Sequence, residues 1–89
     1  MSLLVERSLR GGLLTEANYE AGDEYTCMNG RRVKFGSVRC CQDLESRIAD
    51  ACRLRDFSGM RTDSRAHLNG YLGVLRRMLR KSNRICGRV

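Results

Sequence analysis

Two stretches of the chain repeat their apolar residues with the period of an α-helix. The first runs Cys41, Leu44, Ile48, Ala51 and Cys52, a spacing that puts one side chain per turn on a common face. The second places Leu68, Tyr71 and Leu72, Leu75, then Met78 and Leu79 in the same way. Together they predict helices over 38–56 and 63–85. Ser37 stands where its hydroxyl can accept from the unpaired N–H groups of the first helix's opening turn. Asp43 and Arg47 lie one turn apart in the order that stabilises a helix, and the pattern stops near Asp56, before Phe57-Ser58-Gly59. Thr62 or Asp63 is expected to cap the second helix and Gly87 to end it. Gly70 and Gly73 fall inside that helix, and each costs about 1 kcal/mol relative to alanine. A close approach by another element on the Gly70/Gly73/Arg77 side is therefore expected, or else a break near Gly70.

Upstream, the pattern changes to short runs of Tyr, Thr, Val and Phe around Asn29-Gly30. Asn-Gly favours a two-residue type I′ turn, whose twist suits a β-hairpin. That turn sets Met28 opposite Arg31, Thr26 opposite Val33 and Glu24 opposite Phe35. Met28, Thr26, Val33 and Phe35 then line one face, and Arg32 and Lys34 lie on the other with Cys27 and Tyr25. Before the hairpin, residues 2–10 have the spacing for two helical turns, which Gly11-Gly12 breaks. Residues 13–24 are acidic and mixed, read as a short helix around Leu14–Tyr19 followed by loop. The sum is an α+β fold, helix-dominated, with a small β-hairpin packed on two amphipathic helices in one small domain over residues 1–89.

The apolar inventory is thin for such a fold. The chain has no tryptophan, two phenylalanines and three tyrosines in 89 residues. A core this small calls for an oligomer or a larger partner. No apolar run approaches the roughly 18 residues that span a bilayer. The segment Met1-Ser2-Leu3-Leu4-Val5-Glu6 lacks the charged start and apolar core of a secretory signal. An intracellular or intravirion location is the expectation, with no membrane partner: the basic helix has no tryptophan or phenylalanine anchors on its apolar side.

Charge alters the picture more than composition does. Residues 1–30 hold two basic groups against five acids, a net −3, and residues 31–89 hold fifteen basic groups against five acids, a net +10. Fifteen of the seventeen basic residues are arginine, whose planar, weakly hydrated fork suits phosphate and carboxylate. On the second helix Arg76, Arg80 and Arg84 recur every four residues, with Arg77 and Lys81 in the next row, opposite the leucine stripe. From Ala66 to Val89 there is no acid at all. A solvated helix face normally mixes signs, whereas a block of like charge repels itself and seeks a counter-surface. Nucleic acid is the first candidate partner and an acidic protein surface the second. Arg31, Arg32 and Lys34 on the hairpin extend the candidate patch. With no aromatic triplet and no zinc-finger spacing, contact would be to the nucleic-acid backbone rather than to base sequence.

Catalysis finds little to stand on. The one histidine, His67, has no serine or cysteine at motif spacing and is read as a surface or boundary residue. Gly11-Gly12 lacks the Lys-Ser/Thr of a phosphate loop. The five cysteines, Cys27, Cys40, Cys41, Cys52 and Cys86, are odd in number and contain no Cys-x-x-Cys pair, which argues against a disulfide framework or a tetrahedral zinc site. Cys40-Cys41 at a helix start is placed for a lowered thiol pKa, but no partner base is visible, so the thiols are read as small buried hydrophobes. No catalytic residue, metal or cofactor is expected.

The segment Asn29-Gly30-Arg31-Arg32-Val33-Lys34-Phe35, with Ser37-Val38 and Asp43-Leu44-Glu45-Ser46-Arg47-Ile48-Ala49, resembles the hairpin-into-helix portion of the phage head-completion (head–tail joining) protein W family. The resemblance covers about a quarter of the chain. It implies an α+β fold and a ring at the portal that faces packaged DNA and gives the tail its docking surface. The acidic region broken by Gly11-Gly12 departs from the family's pattern, as does the long basic helix after residue 62. A looser similarity, resting on Arg65, Leu68, Leu72, Leu75 and Arg76, is to small helical double-stranded-RNA-binding proteins of viruses. Two functions therefore compete. One is a small non-enzymatic subunit of a larger, viral assembly whose arginine helix contacts nucleic acid. The other is a protein-only adaptor that docks on an acidic partner.

Overall fold

The computed structural model describes residues 9, 14, 19–57 and 59–87. Strand β1 (Glu24–Thr26) and strand β2 (Arg32–Lys34) form an antiparallel hairpin, followed by helix α1 (Val38–Arg55) and helix α2 (Thr62–Cys86). The protein is α+β and helix-dominated. The expected helical turns over 2–10 and the short helix around Leu14–Tyr19 fall outside the described residues. Leu9, Leu14 and Tyr19 are described, and each packs on the common core.

The two helices run antiparallel. The first turn of α1 meets the last turn of α2 through Cys41 and Cys86, and at the other end Arg55 reaches Asn69. Leu44 and Ala51 of α1 and Leu68, Leu72 and Leu75 of α2 are essentially inaccessible, the faces that the periodicity selects. Ser37 caps α1 as its position implies, with its Oγ accepting from the Cys40 N–H at 3.2 Å. Helix α2 begins differently. Its N-cap is Arg61, which makes no capping side-chain bond, and Thr62 is the first helical residue. Asp63 therefore lies inside the first turn, where its charge favours the helix dipole and its carboxylate accepts from the Ser64 N–H at 3.0 Å. Gly87 closes α2 in the left-handed conformation, which glycine enters without strain.

The hairpin departs from the expected register by one residue. Glu24 pairs with Lys34, Tyr25 with Val33 and Thr26 with Arg32. The Cys27 N–H donates to Arg31 O at 2.8 Å and the Gly30 N–H to Cys27 O at 2.9 Å. The loop is thus Met28-Asn29-Gly30. Among described residues only glycines have positive φ, so Asn29 cannot be in a type I′ turn. The loop is a type I turn followed by left-handed Gly30, the common three-residue alternative. One residue of slip turns a strand over. Tyr25 is consequently buried and Thr26 exposed, while Val33 and Phe35 keep the inward side expected of them. Tyr19 stacks on Phe35 with ring centroids 5.0 Å apart and meets Tyr25 edge-on at 5.9 Å, so the three rings form the hairpin's half of the core.

A buried polar cluster fastens this hairpin to α1. The Tyr25 hydroxyl donates to Asp43, whose carboxylate also accepts from Arg47 Nε at 2.8 Å and from the Met28 N–H at 2.9 Å. Arg47 donates further to the Tyr25 oxygen at 3.0 Å and to Thr26 O at 3.1 Å. Burial and the bond to Asp43 raise the Tyr25 pKa far above its ordinary value. For Arg47, burial pulls the pKa down, but the bond to Asp43 and the neighbouring Tyr25 and Asp43 outweigh it, and the net shift is upward. The Asp43–Arg47 pair expected from the one-turn spacing is thus formed in the interior.

At the opposite corner Gly36 holds the turn between β2 and α1 against α2. Its φ is +90°, and a Cβ there would overlap Ile85 Cγ2 and lie 2.8 Å from Ile85 Cβ. Only glycine satisfies both conditions. The hairpin thereby sits at the C-terminal end of α2. No described helix is long and apolar enough to cross a membrane.

Candidate nucleic-acid interface

The basic face of α2 follows from where its apolar side points. Ser64, Leu68, Tyr71, Leu72, Leu75, Met78 and Ser82 are buried, and at 3.6 residues per turn the positions facing away from them include Gly73, Arg77, Arg80 and Arg84. Arg76, Arg77, Arg80 and Arg84 are exposed and Lys81 is half-buried. Successive members of the Arg76/Arg80/Arg84 row rise about 6 Å along the axis. Among the described residues none of these three arginines has an ion-pair or hydrogen-bond partner. Lys81 differs, because its Nζ lies 3.4 Å from Glu20 Oε1, so the acidic N-terminal region reaches one flank of the face.

Helix α1 supplies an internal comparison. Its outer side mixes signs, with exposed Arg39, Glu45 and Arg53 and half-buried Asp50, to which Arg53 bonds at 3.2 Å. The outer side of α2 over its last three turns carries one sign only. Among the described residues, no other element makes the close approach expected at the glycines. Apart from the helix's own neighbouring backbone, no described atom lies within 4 Å of where a Gly70 Cβ would stand, and at Gly73 the near atom is Arg77 Nη1, at 3.6 Å. Helix α2 continues unbroken through both. A Cβ at Gly73 would make only an ordinary contact with Arg77, so the packing of the described residues does not require glycine there.

On the hairpin, Arg31, Arg32 and Lys34 are all exposed. Arg32 lies 3.6 Å from Glu24 across the strands, an exposed pair that contributes little. Among described residues no hydrogen bond or ion pair joins these three to the α2 row. They share an end of the molecule with Arg84, not a continuous row. Arg39 is a residue that the sequence reading passed over. It is exposed in the first turn of α1, which packs on the last turn of α2. A cation at a helix N-terminus opposes the dipole, and that local conflict was the available signal.

The remaining chemistry is sparse. His67 Nε2 is buried without a hydrogen-bond partner among the described residues. Cys40 and Cys41 do not carry the lowered pKa that their place at a helix start allows. Burial pushes both thiols up, and for Cys40 the opposing bonds to the Gly36 backbone and Ser82 are weaker. Among the described residues no three His, Cys, Asp or Glu side chains are grouped to hold a metal. An open groove of about 470 Å³ between the helices at the Arg55–Asn69 end is lined by Arg55, Asp56, Arg65 and Asn69. Its arginines are already engaged, with Asp56, Asn69 and Phe57 O.

What fold and site define is a small α+β domain that presents a one-sign arginine row on a long helix. No family model, curated protein or solved structure matches it.

Proposed function

We propose that this chain is a small non-enzymatic subunit of a larger intracellular or virion assembly and that it grips the backbone of nucleic acid through α2. The observation that carries the reading is the row Arg76, Arg80, Arg84, exposed and without an acidic partner among the described residues, on a helix anchored by seven buried positions. Free guanidinium groups on a rigid support bind phosphate oxygens in a bidentate manner. Arg77 and Lys81 flank the row, and Arg31, Arg32 and Lys34 are the secondary contacts. The small core supports a subunit's role, and the likeness of the hairpin-into-helix segment to head-completion proteins suggests a virion as the assembly.

The test is fluorescence anisotropy with labelled DNA and RNA duplexes of unrelated sequence over a salt series. Engagement of five cations gives a slope of log K against log salt of about −4 to −5, with similar affinity across sequences. The variant R76E/R80E/R84E should not bind. Salt-insensitive binding, or a triple variant that binds as the wild type does, would overturn the proposal. Retention on an acidic polypeptide with none on either duplex would do the same in favour of an adaptor for acidic protein.

A further inference from the structure

Four of the five cysteines lie in the half of the molecule where the hairpin, the start of α1 and the end of α2 meet, and two of them touch. Cys41 Sγ and Cys86 Sγ are 3.6 Å apart, although 45 positions separate them in sequence. Cys41 belongs to the first turn of α1 and Cys86 is the last residue of α2. Cys41 is inaccessible to solvent, whereas Cys86 is partly open. Ser82 Oγ lies 2.9 Å from Cys41 Sγ, where its hydroxyl can donate to a thiolate. We propose that Cys41 and Cys86 form a reversible disulfide that latches the end of α2 to the start of α1, with a low-molecular-weight disulfide such as oxidised glutathione as the oxidant.

The asymmetry in exposure fixes the order of events. The Cys86 thiolate attacks one sulfur of the small disulfide, forming a mixed disulfide and releasing the first small thiolate. The Cys41 thiolate then attacks Cys86 Sγ and expels the second. The two thiol protons end on the two released thiolates. The protein loses two electrons and the small disulfide gains them. Only the outer sulfur has to meet the oxidant, so the buried one serves as the resolving thiol. The bond closes a long loop, the case in which a crosslink most restricts the unfolded chain. It also pins the terminal turn of α2, where helices open most readily. None of this depends on what the arginine face binds.

The experiment is incubation of the purified protein with a glutathione redox series, followed by non-reducing intact-mass and peptide mapping and by thermal melts. The expected product has lost the mass of two hydrogens, carries a link between the Cys40-Cys41 peptide and the Cys86 peptide, and melts about 10 °C higher until reductant is added. C40A keeps the link, and C41S and C86S, each checked for native circular dichroism, lose it. A stable glutathione adduct on Cys86 with no internal bond, a link that survives in C41S, or no oxidation at any ratio would each overturn the proposal.

Discussion

Replacing Asp43 with alanine strikes the point where the hairpin is fastened to α1. The Asp43 carboxylate receives three groups: the Tyr25 hydroxyl, Arg47 Nε at 2.8 Å and the Met28 N–H at 2.9 Å. Its side chain is 8 % exposed and that of Arg47 is 5 % exposed. Arg47 Nη1 is already buried without a partner, and once Asp43 is gone the guanidinium keeps only the neutral acceptors Tyr25 Oη and Thr26 O. Breaking a buried pair from one side costs about 3–5 kcal/mol. At roughly 0.05–0.15 kcal/mol per residue, a chain of 89 residues holds about 4–13 kcal/mol in total. D43A should therefore remove a large share of the stability. In urea unfolding followed by circular dichroism, with a slope near 1–1.5 kcal/mol per molar, the midpoint should fall by about 2–5 M. The companion D43L/R47M removes both charges and should cost much less than D43A, since an apolar pair leaves no buried ion behind. A D43A cost below about 1 kcal/mol would refute this account of the hairpin's attachment. So would single-variant costs that add without coupling in the D43L/R47M double variant.

Three further outcomes follow from particular contacts. G36A should cost about 2 kcal/mol by thermal melt, from left-handed strain together with displacement of Ile85, and G36A/I85A should recover the second part only. Stability should decline in alkali. Tyr25, Cys27, Cys40 and Cys41 all have raised pKa values, led by burial, so the unfolded chain gives up these protons first. Their contribution is intact below about pH 9, the ordinary thiol value, and is lost as pH climbs through and beyond 10; urea midpoints at pH 8 and about pH 10.5 that agree would contradict it, and Y25F should flatten the upper part of the curve. R80Q should raise the melting temperature slightly at low salt, because Arg80 has Arg76 and Arg84 four residues away and Arg77 three away, while weakening duplex binding in the anisotropy assay. Each like-charge neighbour costs about 0.2–0.5 kcal/mol, and high salt should erase the gain.

The helices were legible because their signals are local. The apolar period located α1 and α2 to within a residue or two of their observed ends, and Ser37 and Gly87 occupy the cap positions that their chemistry suits. The hairpin was legible as a turn but not as a register. Asn29-Gly30 is compatible with a two-residue turn and with the three-residue loop that forms, and the difference decides whether Tyr25 or Thr26 faces inward. What settles it is the fit of the Tyr25 hydroxyl to Asp43 and Arg47, two residues far along the chain whose burial depends on the hairpin landing there. The same dependence hid the character of the Asp43–Arg47 pair, which its spacing revealed and its environment transformed. On the candidate face, the arginine row was plain in the sequence. That Arg39 lies at the same end as Arg84 is a consequence of packing.

The arginine row conflicts with the economy of the rest of the molecule. Helix α1 mixes its outer charges, and among the described residues the buried carboxylate of Asp43 is paired with the buried guanidinium of Arg47. Over the last turns of α2 the chain does the reverse. It stacks like charges at four-residue intervals, and farther back along the helix it keeps two glycines on which no other described element packs and sets an arginine where an N-cap belongs. Each choice disfavours the helix by a few tenths to about 1 kcal/mol, in a domain with little stability to spare. Such local violations concentrate where function requires them. A polyanion laid along α2 would offset the repulsion directly, since each phosphate that replaces a neighbouring cation turns a repulsive contact into an attractive one. The bare backbone at Gly70, on the same side as Arg77, adds no side chain to hold a phosphate strand away from the helix. The stability change on adding duplex should accordingly be larger for the wild type than for R80Q at low salt, and the two should converge as salt rises.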